Sequence, residues 1–507
     1  MNITHRIREH ALTRFDEVAL VFVKHSLRCD TDQISWRELN KLIDDIAFFF
    51  QQSGSRQPIA LNLSNSPSLI ICFLAIARAG REALLCDPQW PQSQLNAVLE
   101  NLNPQYIITT DQSDAYHYKA MKRLIVNNLT CFSDLRACFS TFDFSGEQPA
   151  THLLSSADDM FYCGFTSGST GVPKGFRRTH ASWLASFETS DVEFDIGTHD
   201  CVLAAGSLIH SLHLYAVVHA LYAGAKTMFA AQFQPALLAD LIKRENISVI
   251  YGTPTQLDMI AKTGVENDFC SINRVLVSGD ALNPLTRKRI KNAFSNAQID
   301  TFYGASELSF ISIAKERDHL PEGCAGHAAH GVTITIRDAQ GKLCSQEQEG
   351  FVCVSSPLIF SRYANQKDDR LLRFEDAVSV GDRGFLDAQN NLFLTGRFER
   401  LLIVAGRNIA PEGLEKTLLF HPLILEAAII PLRDRNRGQR LAAVIKYEND
   451  ADLTRDDIMN HMRLHHAEYE VPRYYFECLD WPYLSSGKTD FHHITQQIEQ
   501  KTLPILS

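Results

Sequence analysis

Met160-Phe161-Tyr162-Cys163-Gly164-Phe165 followed by Thr166-Ser167-Gly168-Ser169-Thr170-Gly171-Val172-Pro173-Lys174-Gly175 is the stretch on which the reading of the chain turns. An apolar run leads into a turn rich in glycine and hydroxyls that closes on a lysine. Backbone amides of such a turn can point at phosphate oxygens, hydroxyls add donors, and the ammonium adds positive charge. Thr166, Ser167, Gly168, Ser169, Thr170, Gly171 and Lys174 are therefore candidate nucleotide-phosphate ligands. The turn is not a Walker A loop: Pro173 precedes Lys174, and Gly175 stands where that loop needs Ser or Thr. A P-loop kinase or ATPase is disfavoured. Taken alone, the segment also reads as a plain Gly/Ser turn between strands.

Outward from this loop, helix-like and strand-like segments alternate. Ser35 to Phe50 places Leu39, Ile43 and Ile46 at helical spacing, and residues 58–62 then read as a short strand. Pro67, capped by Ser66, starts a helix reaching Arg78. Residues 106–109, 249–251 and 274–278 are further short apolar strands. This alternation is the pattern of parallel α/β layers. Past Gly331 it gives way to strand and turn, with residues 332–337 and 350–355 alternating, so a small β-rich section is expected there. After Arg397 strands at 401–404, 427–431 and 441–447 combine with helices near 412–419 and 455–466. The expected fold class is α/β: a large N-terminal domain of layered α/β subdomains over residues 1–398, and a small mobile α+β domain over 399–507.

The chain has 507 residues, more than one hydrophobic core normally supports. With 45% hydrophobic and 21% charged residues it has ordinary globular composition, and no internal repeat stands out. A net charge of −10 without a basic block argues against nucleic-acid binding. The twelve cysteines contain no C-x-x-C pair, so they read as small core residues in a reducing compartment. The polar start, MNITHRIREHALTRF, does not read as a signal peptide. Leu69 to Ala77, the longest strongly apolar run, is too short to cross a bilayer. A cytoplasmic protein without integral membrane association is expected.

The glycine-rich loop matches, without a mismatch, the T-S-G-[ST]-T-G-x-P-K-G motif of the adenylate-forming superfamily of acyl-CoA and aryl-CoA synthetases, nonribosomal peptide adenylation domains and luciferases. The resemblance extends from Ser35 to Lys488, with further motifs in the family's order. Tyr303-Gly304-Ala305-Ser306-Glu307 resembles Y-G-x-[ST]-E. There the resemblance implies that Glu307 holds Mg²⁺ and that Ser306 contacts the α-phosphate, a hard cation being needed between a carboxylate and a polyphosphate. Gly381-Asp382 resembles the motif whose aspartate anchors the ribose, and Arg397 inherits a ribose or phosphate contact. Ser278-Gly279-Asp280-Ala281 looks like the stretch along the adenine, with Asp280 where relatives often carry glycine. Gly487-Lys488 resembles the C-terminal motif whose lysine holds the attacking carboxylate and the α-phosphate together. Glu399 falls at the hinge position, where relatives carry Asp or Lys; residues 406–411 and Glu415 match the segment after it, which in relatives faces the thiol carrier.

Ser207-Leu208-Ile209-His210 resembles the P-L-x-H segment lining the acyl pocket, with Ala305 also on that side. Amino-acid-activating relatives place an aspartate next, to pair with the α-ammonium; here the residue is Ser211. A fatty or aromatic acid is therefore favoured over an amino acid. The implied reaction uses ATP and Mg²⁺ to form acyl-AMP, then hands the acyl group to coenzyme A or to the phosphopantetheine of a separate carrier protein, as no L-G-G-x-S carrier motif occurs in the chain. Rival readings are luciferase-like oxidation of the adenylate and a non-catalytic nucleotide-binding homologue. His210 with His213, His327 with His330 and His465 with His466 lack a third ligand at metal-binding spacing.

Overall fold

The computed structural model describes residues 1–24, 30–110, 122–126, 132, 135, 139, 155–166, 173–264, 268–365, 371–400, 402–404, 407–434, 438–447, 453–484 and 487–506. Among them, two large sheets with parallel cores face each other across a layer of helices. The first has nine strands and runs, in spatial order, His327–Ala328, Ser309–Ala314, Gln298–Ala305, Arg274–Val277, Val249–Gly252, Cys201–Ala204, Lys226–Ala230, Val18–Val23 and Thr31–Ser35. The second has seven: Arg362–Tyr363, Lys174–Thr179, Met160–Thr166, Ala83–Leu85, Ile59–Asn62, Tyr106–Thr109 and Lys122–Ile125.

The helices at this interface show why the chain folds this way. Pro67–Arg78 carries the apolar run 69–77, and all twelve of its residues are buried. A helix apolar all round needs protein on every side, which the seven-stranded sheet and the helix Trp36–Gln52 supply. Ser211–Ala223 is buried likewise from His213 to Leu221. Trp36–Gln52 is amphipathic and begins with a capping box: Ser35 Oγ accepts the Glu38 N–H at 3.3 Å, and Glu38 Oε2 accepts the Ser35 N–H at 3.1 Å. Among the described residues no helix is long and apolar enough to cross a membrane. The nine described cysteines are all free.

The expected β-rich section is a six-stranded sheet centred on Gly350–Ser355, Asp382–Leu386 and Leu392–Arg397, with Thr333–Arg337 pairing to the first. Beyond a single helical turn at Phe398–Arg400 come the hairpin Leu402–Val404/Arg407–Ile409 and a three-stranded sheet, Ile424–Asp434, Gly438–Tyr447 and Tyr474–Glu477. These, with the helices Pro411–Leu419, Arg455–Arg463 and Phe491–Glu499, form a small domain with its own apolar clusters around Leu418, Ala443 and Tyr475, and around Val444 and Trp481. The helix expected over 455–466 stops at Arg463: the His465 and His466 N–H groups turn back to the Met462 carbonyl.

Trp36 has no solvent exposure and packs in the main core, with the His10 ring 4.9 Å away. Trp36→Ala should destabilise the protein by about 3–5 kcal/mol, the usual cost of removing a buried aromatic. Urea unfolding checks this, a loss below about 1 kcal/mol contradicting the assignment of Trp36 to the packed core.

Candidate active site

Three β-structures of the large domain carry the candidate residues. The first is the hairpin of Met160–Thr166 and Lys174–Thr179, which pairs Thr166 with Lys174. Ser167, Gly168, Ser169, Thr170 and Gly171 lie outside the described residues; Thr166 and Lys174 mark the two sides of the loop and are half-buried.

The second structure is the hairpin of Gln298–Ala305 and Ser309–Ala314, which carries Ser306 and Glu307 in its turn. Gly304 sits so close to the returning strand that a Cβ there would collide with the Ser309 carbonyl oxygen. The turn is held from outside as well. Arg178, 2% exposed, donates from Nη1 to the Ser306 carbonyl at 3.2 Å and from Nη2 to the Leu358 carbonyl at 2.6 Å. The Phe360 N–H donates to the Glu307 carbonyl at 2.7 Å, and the Tyr363 hydroxyl donates to Glu307 Oε1 at 2.9 Å. Burial pulls the Arg178 pKa down to about 10, with Tyr162, Tyr215 and Glu307 opposing. At neutral pH it stays a cation.

The third is the six-stranded sheet, whose register sets Asp382 directly opposite Arg397. Arg397 Nε lies 2.9 Å from Asp382 Oδ1, and the Tyr303 hydroxyl donates to Oδ2. Burial, and then Asp382, hold the Tyr303 pKa well above the ordinary phenol value, so this donor keeps its proton. Asp382 is 4% exposed, yet its Oδ1 accepts no hydrogen bond among the described residues: the Arg397 N–H is close but poorly aimed. A buried carboxylate oxygen in that state is a ready acceptor for a hydroxyl.

The small domain supplies the remaining charge. Its Gly487 turn docks on Thr253, so closely that a Cβ at Gly487 would lie 2.8 Å from Thr253 Oγ1, and Gly487 has φ +80°. Asn283 Nδ2 donates to the Leu425 carbonyl at 3.4 Å across the same junction. Lys488 is thereby brought within electrostatic reach of Asp280, Asp382, Glu307 and Arg397. It stays accessible to solvent, but the protein around the cleft lowers its pKa, with Arg397 acting the same way and the three carboxylates opposing. Asp280 is exposed, yet the protein packed around it pushes its pKa up, against its bond from the Ala281 N–H and the charges of Lys488, Arg397 and Arg400. Gly279, at φ +99°, approaches Thr253 on the same side.

Ser211 Oγ stands 3.3 Å from Ser306 Oγ, with His210 at the N-cap position of the helix and Ala305 ending the strand. Lys488, Glu307, Ser306, Asp280, Asp382, Arg397, Tyr303 and Ser211 thus border one cleft. The side chain of Glu399 lies outside the described residues; its backbone is in the helical turn between the domains.

A family model described as AMP-binding enzyme matches residues 7–364, and a second, AMP-binding enzyme C-terminal domain, matches 413–488. The chain belongs to the AMP-binding, adenylate-forming enzymes. It is 28% identical over 502 residues to the uncharacterized acyl-CoA ligase YhfT of Bacillus subtilis, covering 99% of both chains. It is 25% identical over 424 residues to 4-coumarate–CoA ligase 2 of Nicotiana tabacum, covering 80% of this chain and 78% of that one. In fold it resembles ATP-bound MatB of Rhodopseudomonas palustris, with TM-score 0.84, 19% identity and coverage of 99% and 100%. It also resembles o-succinylbenzoate CoA synthetase of Bacillus subtilis bound to its acyl-adenylate, with TM-score 0.79, 20% identity and coverage of 95% and 96%. Both share the layered large domain and small C-terminal domain seen in this adenylate-forming enzyme.

Several residues at the cleft escape sequence reading. Arg178 and Tyr363 brace the Ser306-Glu307 turn but carry no motif of their own. Thr253 could have been noticed, because Thr253-Pro254 with Gln256 is a capping box at the head of Pro254–Ala261. Arg400 makes a bidentate pair with Glu415, at 3.0 and 2.7 Å, and lies 3.2 Å from Glu412. Glu415 therefore braces the small domain internally. The paired histidines have local partners: His213 is hydrogen-bonded to Gln256, His466 Nε2 meets Thr417 Oγ1 at 2.7 Å, and His327 lies 3.2 Å from Asp318.

Gly304→Ala should displace the Ser306-Glu307 turn and lower kcat/KM for adenylation by about tenfold or more, since misplacing reacting groups by an ångström costs up to about a hundredfold. Steady-state pyrophosphate release tests this; a wild-type rate in the variant would contradict the close-approach role.

Proposed function

We propose that this enzyme joins a carboxylic acid to a thiol through an acyl-adenylate. The observation that carries the reading is the position of Lys488: an ammonium from the small domain reaches the cleft where Asp382, Arg397, Ser306 and Glu307 meet. In the first step a carboxylate oxygen of the acid attacks the α-phosphorus of ATP. A new P–O bond forms and pyrophosphate leaves. Lys488 holds the attacking carboxylate against the α-phosphate and offsets the charge that develops on the oxygens. Thr166 to Gly171 and Lys174 receive the outgoing phosphates, Ser306 the α-phosphate, and Gly279, Asp280, Ala281, Tyr303 and Gly304 flank the base and sugar.

The fit to a nucleoside is supported by Asp382, whose buried Oδ1 lies beside Arg397 but accepts no well-aimed hydrogen bond among the described residues, while Oδ2 is anchored by Tyr303. It is placed to accept from the ribose, with Arg397 beside it. Glu307, a hard oxygen donor held by Tyr363 and facing cations of the cleft, would hold Mg²⁺. The metal, when bound, neutralises phosphate charge.

In the second step the thiol sulfur attacks the acyl carbonyl, a C–S bond forms, and AMP leaves. Residues 1–398 and 399–507 act as two bodies about Glu399, the smaller one withdrawing Lys488 so that the thiol can approach. Coenzyme A is the favoured thiol, supported by the coenzyme A ligases among the relatives; a carrier-borne phosphopantetheine has the same chemistry. A fatty or aromatic acid is favoured over an α-amino acid, since Ser211 supplies no carboxylate for an ammonium.

Lys488→Ala should lower acid-dependent ATP–pyrophosphate exchange by about a hundredfold or more, the scale of losing a group aimed at developing charge. Thioester formation from pre-made acyl-AMP should fall far less. Equal loss of both steps would contradict the division of labour.

Asp280 raises the Lys488 pKa, so Asp280→Asn should lower it further. The ammonium is then lost at lower pH, and the alkaline limb of the exchange rate moves down the pH scale. A limb that stays put or moves up would refute the coupling.

A further inference from the structure

We propose that, within the fatty and aromatic acids favoured above, this enzyme takes only the compact members, short-chain aliphatic or single-ring carboxylic acids, and that Tyr215 sets the limit. The inference rests on the reading above, in which the acyl group lies beside Ser211 and Ser306.

Ser211 opens the helix Ser211–Ala223 and faces Ser306 across 3.3 Å. Residues four apart share a helix face. Tyr215 therefore stands behind Ser211, one turn or about 6 Å further in. Phe310 reaches the same depth from the opposite wall: it lies on the strand Ser309–Ala314, paired with Gly304, and its ring centroid is 5.3 Å from that of Tyr215 in an edge-on arrangement. Trp183, from the helix His180–Phe194, closes the third side at 5.5 Å. Three aromatic rings are thus packed together behind Ser211 and Ser306, where an acyl chain would have to extend.

The stop is fixed. The Tyr215 hydroxyl donates to the Ser186 carbonyl at 2.6 Å and meets Ser190 Oγ at 2.7 Å. Behind it His219 stacks on the same ring at 5.7 Å and 10°, and is itself 3.0 Å from Asp191. Tyr215 is 7% exposed, Phe310 and Trp183 3% each. Swinging the tyrosine aside would leave buried polar groups unpaired and force the ring into a close-packed interior. A long alkyl tail has to do that; an acid no longer than one ring does not.

The test measures binding of acylsulfamoyl-adenosines, stable mimics of acyl-AMP, by calorimetry, with propionyl, benzoyl, octanoyl and hexadecanoyl groups, alongside ATP–pyrophosphate exchange with the matching acids. The propionyl and benzoyl compounds should bind at least about tenfold tighter than the octanoyl and hexadecanoyl ones, the scale of overpacking a filled interior. Tyr215→Ala should narrow that gap, and Tyr215→Phe should keep it. If Tyr215→Ala does not fold, Phe310→Leu tests the same stop from the opposite wall. Hexadecanoyl binding as tight as propionyl binding in the wild type would overturn the proposal, as would an unchanged gap in folded Tyr215→Ala or Phe310→Leu. The expected ranking without exchange for any acid would uphold the compact pocket while the ligase reading fell. No binding by any of the compounds would refute both.

Discussion

An ammonium contributed by one domain has to share a cleft with a guanidinium contributed by the other. Lys488 and Arg397 repel, and the cleft is tolerable only because Asp280, Asp382 and Glu307 surround them. Such a site is close to electrical balance before a nucleotide arrives. On the proposed reading a triphosphate brings several negative charges into it, which the glycine-rich segment, Lys174 and a hard cation held by Glu307 would offset.

Sheet geometry places these groups. Antiparallel register makes Asp382 and Arg397 cross-strand neighbours and sets Thr166 beside Lys174 at the mouth of the loop. The Ser306-Glu307 turn is tied by Gly304 from within and by Arg178, Phe360 and Tyr363 from outside. Asp382, Arg397 and Lys174 therefore leave strands and the Ser306-Glu307 turn is tied between two of them, so their freedom is spent on folding before any substrate binds.

Much of this was legible from sequence because the groups sit in short runs whose composition has a local cause. Glycine at 304 and 487 answers a close approach, and the apolar run 69–77 answers burial between a sheet and the helix Trp36–Gln52. Strand limits at 106–109 and 350–355 were read to the residue, whereas the strand expected over 427–431 extends to Ile424–Asp434, because pairing with Gly438–Tyr447 continues through its polar end. Arg178, Thr253 and the ring of Tyr215 were not singled out as parts of the site. Their importance comes from what stands opposite them, Ser306, Gly487 and Phe310, and those partners are 95 or more residues away in the chain.

The junction between the domains is polar where the site needs it. Lys416 donates to the Gly323 carbonyl at 3.3 Å, Asn283 reaches Leu425, and Glu426, bonded by the Tyr483 hydroxyl at 2.6 Å, lies near Asp280 and Asp258. Burial pushes Glu426 up to about 7, so this contact sits at the edge of ionisation near neutral pH. The small domain keeps its apolar residues in clusters of its own, around Leu418, Tyr475 and Trp481. Parting from the large domain then exposes hydrogen-bonding surface more than core, the kind of interface across which domains move. On the proposed reading, Lys488 docks when a carboxylate and a triphosphate are present to bind it, and its hold weakens once the carboxylate has become an uncharged acyl group and pyrophosphate has left with its own charges.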